Sequence, residues 1–192
     1  MDFHASLSRS IAPTPSKGMS ALKISLINTP LGPMRAIADE QLLYCLEFSD
    51  QLQDERNLEQ LKQKLGLSFA TGRTPLIDLL EAELHAYFAG TLHLFTTPMM
   101  PLGSPFQQTV WQALQKIPYG QTCSYAQLAA AVGKPSACRA VAQANGANSL
   151  SIIIPCHRVI NSNGELGGYN GGLQKKIWLL NHEGSFFEGR PL

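Results

Sequence analysis

Three consecutive isoleucines, Ile152–Ile153–Ile154, run into Pro155 and then into Cys156–His157–Arg158 before the apolar run resumes at Val159–Ile160. A β-branched run of this kind wants burial on both faces, so it reads as a strand in the interior of a sheet. Proline donates nothing to a ladder, so pairing stops or bulges at Pro155. Cys156 is then expected at a strand end, held rigidly and open on one side, where a fixed nucleophile belongs. The simpler reading is a buried structural cysteine followed by a surface His–Arg pair, since free cysteine is among the most buried residue types. The rest of the chain has to choose.

At 192 residues the chain is long enough for one or two small domains with a core. Hydrophobic residues at 44% against 15% charged ones exclude a disordered chain. No apolar run approaches the roughly 20 residues that span a bilayer. Residues 1–20 lack the continuous apolar segment of a secretory signal and read as a loose tail. Cys45, Cys123, Cys138 and Cys156 form no C-x-x-C pair, and no histidines stand at a paired ligand spacing. Reduced thiols in a cytoplasmic protein without structural zinc are therefore expected. Charge is uneven: residues 1–103 hold eight Lys/Arg against eleven Asp/Glu, and residues 104–192 hold seven against three. The cysteine lies in the basic half, which permits a polyanionic partner without requiring one.

Leu22, Ile24 and Leu26 alternate with polar residues, as do Met34, Ala36 and Ala38, then Leu42, Tyr44, Leu46 and Phe48. Turns at Thr29–Pro33 and Asp39–Glu40 make these an antiparallel meander. A helix is expected around Leu58, Leu61 and Leu65, ended by Gly66. Thr74–Pro75 opens a second helix, whose face carries Leu76, Ile77, Leu80, Leu84, Tyr87 and Phe88. His85 beside that face reads as a packed or surface histidine.

Past the proline-containing connection at 91–103 the chain turns helical. Ser104 to Gln107 and Ser124 to Gln127 are capping boxes, each opening a helix. A further helix from about Pro135 to Asn145 buries Ala137, Ala140, Val141 and Ala144 and exposes Arg139 and Gln143. The last two helices have the layout of a helix-turn-helix, although an ordinary helical hairpin reads the same way. Four glycines bracket Tyr169 and Asn170, which exposes them, and a final helix buries Leu173, Ile177 and Leu180 before Gly184. Glu183 stands at that helix's C-terminus, where the macrodipole disfavours a carboxylate by roughly 0.3–1 kcal/mol, so a partner is expected.

A thiol attacks as thiolate and needs a base. His157 is the nearest, but neighbours in an extended segment point apart, so a bridging water is required. Glu183 then orients the imidazole. Three readings remain: a thiol enzyme acting on nucleic acid, a helix-turn-helix binder in which Cys156 only packs, and a thiol hydrolase using Asn148 or Glu183 as third member.

The C-terminal half resembles the O6-alkylguanine-DNA alkyltransferases. The motifs that carry the likeness are Pro155-Cys-His-Arg-Val159, Phe106-Gln-Gln-x-Val-Trp111, Ile117-Pro-Tyr-Gly120, Ser124-Tyr125, Arg139-Ala-Val141, Asn148, Gly171-Gly-Leu173 and Trp178-Leu-Leu-x-His-Glu183. They run in register from Phe106 to Gly184, while the first half matches only through Thr29-Pro-Leu-Gly32. The resemblance implies that Cys156 takes the alkyl group from O6-alkylguanine, and from O4-alkylthymine, in one irreversible displacement. His157 is then a water-mediated base oriented by Glu183, and Tyr169 gives a proton to the guanine ring at N3. Arg139 fills the space of a base flipped out of double-stranded DNA from the minor groove, and Tyr125 crowds the 3′ phosphate. Asn148 fixes the turn before the cysteine, and Asn170 contacts substrate through its backbone.

Ser149 stands where the family usually has proline, Ala142 where glycine is frequent, and Asn170 where some members have serine. Some members bind zinc in the N-terminal domain; the matching turn here offers Asp39 and Tyr44, so no metal or other cofactor is expected, and Cys45, Cys123 and Cys138 are expected to pack. The expectation is an α/β (α+β) protein that works alone as a monomeric methyltransferase: residues 21–103 an α/β domain with an antiparallel sheet, residues 104–192 a helical domain with a helix-turn-helix and a short active-site strand.

Overall fold

A computed structural model describes residues 22–49 and 68–185, together with positions 59 and 63. The expected tail over residues 1–20 lies outside the described residues, as do Leu58, Leu61 and Leu65 of the expected helix, in which the described positions 59 and 63 are helical. The meander forms as β1 (Leu22–Ile27), β2 (Met34–Ala38) and β3 (Leu43–Phe48), antiparallel and joined at the first turn by Gly32 N–H donating to Thr29 O at 3.0 Å. A strand absent from the sequence reading, β4 (Phe69–Thr71), lies parallel to β1 and makes the order β3-β2-β1-β4. Three residues are too few to show a period.

The alternation holds only in part. β2 and β3 are buried at every position because both faces are covered. Met34, Ala36, Leu46 and Phe48 join the main core, while Ile37, Tyr44 and Cys45 join a smaller cluster roofed by Met100 and Leu102. That roof is pinned to the sheet edge, where Leu43 N–H donates to Pro98 O and Met100 N–H to Leu43 O, each at 2.9 Å. Leu26, expected inside, is 60% exposed beyond the last residue that β4 pairs.

The helices begin where their caps say. Thr74 Oγ1 accepts from Ile77 N–H at the start of α1 (Pro75–Phe88). Both capping boxes are closed, at α2 (Pro105–Leu114) and α3 (Tyr125–Ala131). Next, α4 (Cys138–Gly146) starts three residues later than expected, because residues 134–137 close a turn through Ala137 N–H and Lys134 O. Ala140 is exposed rather than buried; Val141, Ala144 and Asn145 make the buried face. The last helix, α5 (Leu173–His182), stops at Gly184 with φ +84°, and Leu173 is exposed, not buried.

One hydrophobic core runs from Ile27, Met34 and Leu80 through Val110, Trp111 and Leu128 to Ile154 and Leu179, so the two halves share an interior. Trp111 Nε1 donates to Ala144 O at 2.8 Å and locks α2 onto α4. Among the described residues no helix is long and apolar enough to cross a membrane.

Candidate active site

The three isoleucines are not a strand. Residues 151–154 wind through turns, and Ile152 takes φ +73°, a region that β-branched residues rarely enter. The run is buried on all sides, as its composition demands, but a turn plunged into the core satisfies that burial as well as a strand does. The turn is tied on both flanks. Leu46 N–H on the edge of β3 donates to Ser149 O at 2.8 Å, and Ser151 N–H donates back to Leu46 O at 2.9 Å. Cys156–Arg158 form one turn of 3-10 helix, and the short strand comes after the cysteine, as β6 (Val159–Ile160), parallel to β5 (Cys123–Ser124).

Cys156 lies 3% exposed on the wall of a cavity of about 420 Å³ shared with Tyr125, Arg139, Gln143, Tyr169 and Asn170. Asn148 holds it from behind. The Asn148 carboxamide nitrogen donates to Cys156 Sγ at 3.2 Å and to Ile154 O at 2.9 Å, while its oxygen accepts from Leu150 N–H at 3.0 Å. The turn that carries Ser149 in place of the family's usual proline is thus closed by Asn148 itself. Burial pushes the Cys156 thiol above its ordinary pKa, and the Asn148 hydrogen bond and the nearby Lys176 ammonium pull the other way.

His157 and Arg158 are both buried, so the reading of a surface His–Arg pair fails. His157 Nε2 meets Glu183 Oε1 at 2.9 Å, and Arg158 grips both carboxylate oxygens, Nε to Oε2 at 2.8 Å and its terminal nitrogen to Oε1 at 2.9 Å. Gly120 N–H at 3.3 Å and the Tyr87 hydroxyl at 2.8 Å complete five donors to one carboxylate. Gly120 has φ +74°, and a Cβ there would stand 2.6 Å from Glu183 O, so only glycine permits the approach. The partner that Glu183 needed at its helix end is this buried cluster. Burial alone would raise its pKa; the bonds from His157 and Arg158 outweigh it and hold the carboxyl well below its ordinary range. A carboxylate accepts only, so the proton of His157 belongs on Nε2, and Nδ1, buried without a protein partner, carries the lone pair. Burial holds the imidazole below its ordinary pKa, hence neutral.

Tyr169 is not displayed to solvent by its glycines. Its hydroxyl is buried without a partner, its ring stands edge-on to His157 at 6.4 Å, and burial raises its pKa. Asn170 is exposed at the cavity mouth. Arg139 is exposed on α4 at the same mouth, and Tyr125 packs its ring on Gly167, where a Cβ would come within 2.7 Å.

Two residues escaped the sequence reading. Lys176 is fully buried, and its ammonium donates to Val159 O at 2.6 Å, Gly167 O at 3.1 Å and Gly168 O at 3.4 Å. It ties the glycine loop to β6, and burial lowers its pKa to about 8. Lys176 shares one helical stripe with Leu173, Leu180 and Glu183, and spacing alone does not show that the lysine is the buried member while Leu173, at the helix start, is exposed. Tyr87 lies on the apolar face of α1, and that placement leaves open where its hydroxyl goes. A buried tyrosine needs a hydrogen-bond partner, which here is Glu183.

Residues 105–185 match the family model described as the DNA-binding domain of 6-O-methylguanine DNA methyltransferase. The methylated-DNA–protein-cysteine methyltransferase of Salmonella typhimurium is 47% identical over 163 residues, which are 82% of this chain and 93% of that protein. The constitutive methylated-DNA–protein-cysteine methyltransferase of Bacillus subtilis is 42% identical over 81% of this chain and 91% of its own. Among solved structures, Mycobacterium tuberculosis OGT in complex with DNA superposes with a TM-score of 0.73 at 37% identity, covering 85% of this chain and 93% of that one.

Proposed function

The chain belongs to the methylated-DNA–protein-cysteine methyltransferase family, and we propose that it repairs alkylated DNA by taking the alkyl group of O6-alkylguanine onto its own Cys156. The observation that carries this is the setting of the thiol: buried at a cavity wall, fixed by Asn148, and followed in sequence by a neutral histidine whose free nitrogen is an acceptor.

The thiol gives its proton through a bridging water to His157 Nδ1, and Glu183 and Arg158 accommodate the imidazolium that results. Cys156 Sγ then bonds the alkyl carbon as the bond from that carbon to guanine O6 breaks, and the electron pair leaves on the base. Tyr169, whose buried hydroxyl lacks a partner, supplies a proton to the guanine ring, and the backbone at Asn170 faces the O6 region. The product is a thioether, which nothing in the site reverses, so each chain acts once. O4-alkylthymine fits the same displacement.

A base stacked in a duplex cannot reach the cavity, so the nucleotide is flipped. Arg139 at the mouth fills the gap, and Tyr125 at the start of α3 meets the phosphate beside it. The helix-turn-helix of α3 and α4 approaches the minor groove as a monomer, with residues 104–192 as the DNA-binding and acceptor domain and residues 21–103 as the supporting α/β domain. A helix-turn-helix binder with an inert Cys156 is not favoured, because packing alone has no use for an amide donor on Sγ.

The test is the intact mass of the chain after incubation with a duplex holding one O6-methylguanine, and separately with O6-benzylguanine. One alkyl group per chain is expected, absent in Cys156→Ala. A native chain left unmodified by both reagents sinks the proposal.

A further inference from the structure

We propose that Tyr87 is a positioning residue for the alkyl transfer, acting on His157 from the N-terminal half through Glu183; this rests on the reading of Cys156 as acceptor and His157 as its base. Tyr87 lies near the end of α1, and its hydroxyl donates to Glu183 Oε1 at 2.8 Å across 96 residues of sequence. That oxygen is the one His157 Nε2 uses at 2.9 Å.

The hydroxyl has no freedom to turn away. The ring is boxed by Phe88, Phe95, Tyr119 and His182 at centroid distances of 5.2–6.1 Å, and the Tyr87 carbonyl accepts from His182 Nε2 at 2.7 Å. Burial and the neighbouring Glu183 charge keep the phenol protonated. Tyr87 is therefore a permanent donor to a carboxylate oxygen that it shares with the base.

What that donor does follows from the charges around His157. Glu183 favours the imidazolium; Arg158, its neighbour in the chain, and Lys176 on α5 oppose it. Cys156 precedes it and the edge of Tyr169 faces it. Glu183 is thus the group whose strength sets how readily His157 takes a proton. By drawing charge out of Oε1, the Tyr87 hydroxyl weakens that pull and keeps the imidazole neutral, and so basic at Nδ1, to a lower pH. A residue of the sheet-bearing half thereby tunes the reaction of the helical half.

The test is the pH profile of single-turnover methyl transfer from a saturating duplex holding O6-methylguanine, in the full chain. Tyr87→Phe keeps the ring and removes the donor, and its acid limb is expected to move up by about half to one pH unit. Incorporating 3-fluorotyrosine at position 87 strengthens the donor without changing its shape, and the limb is expected to move down. A merely structural tyrosine lowers the melting temperature and the rate at every pH and leaves the limb in place, and that result overturns the inference. If Tyr87→Phe does not fold, the fluorinated protein decides by the direction of its shift. Failure of the unsubstituted chain to take up a methyl group counts instead against Cys156 as acceptor.

Discussion

Asn148 and Cys156 are joined side chain to side chain, the carboxamide nitrogen lying 3.2 Å from the sulfur while the other end of the amide closes the turn at Leu150. One residue therefore aims the thiol and shapes the loop that presents it. Asn148→Ala removes the donor that offsets burial of the thiol, so the pKa of Cys156 rises further and transfer at neutral pH slows. It also orphans Leu150 N–H, which costs about 1–3 kcal/mol. Denaturant unfolding and the single-turnover rate are expected to fall together, with the rate recovering in part at higher pH. A rate unchanged at neutral pH would show that the sulfur does not need the amide.

Lys176 makes a separable prediction. Its pKa is lowered to about 8 because burial disfavours the charge, so the cost to the fold is full below that value and fades as pH rises towards 10.5. The charge lies near enough to Cys156 to favour a thiolate, and the ammonium spans three carbonyls of β6 and the glycine loop. Lys176→Met is expected to speed amide exchange over residues 167–170 and to slow transfer by roughly tenfold, the scale of one lost charge-assisted hydrogen bond. The gap to the unsubstituted chain should shrink above about pH 8, where its own ammonium is neutral. A gap constant with pH would leave Lys176 as a strut alone.

Arg139 stands exposed on α4 at the mouth of the cavity that Cys156 lines. If it fills the gap left by a flipped nucleotide, its removal weakens only the reaction that requires flipping, which demands a few kcal/mol of unstacking. Arg139→Ala is expected to slow repair of duplex O6-methylguanine by roughly tenfold or more, and reaction with free O6-benzylguanine far less. Equal losses on both substrates rule out the role.

How much of this was readable differs by element. Caps are local chemistry, so Ser104, Ser124 and Thr74 placed their helices without knowledge of the fold. The meander was readable for the same reason, as a short-range alternation between turns. The isoleucines misled because hydrophobicity reports burial and not conformation, and only the edge of β3, over a hundred residues away, decides that 149–151 dock as a bridge and 152 turns left-handed. Cys156, His157 and Glu183 came from motifs and from a carboxylate in the wrong place. Lys176 and Tyr87 did not, because a charged residue in an α5 stripe and a tyrosine on an apolar face each look ordinary until their partners are in view.

Glu183 ties the site to acid stability. Its carboxyl is held well below the ordinary value of 4.5 by His157 and Arg158, so the folded state binds its proton more weakly than the unfolded state does. The stability from this cluster is therefore complete above about pH 4.5 and is lost as pH falls below it towards the folded value. Glu183→Gln leaves the Arg158 guanidinium buried without its counter-charge, which costs about 3–5 kcal/mol at neutral pH. In the unsubstituted chain, acid does to Glu183 what the glutamine does at every pH. Calorimetric melting temperatures of the two proteins should accordingly differ most at neutral pH and converge as pH is lowered through the carboxylate range. A difference that stays constant on acidification would mean that the charge of Glu183 contributes nothing to the fold. Because the same carboxylate orients His157, the variant should also lose most of its transfer rate at neutral pH, where its fold persists.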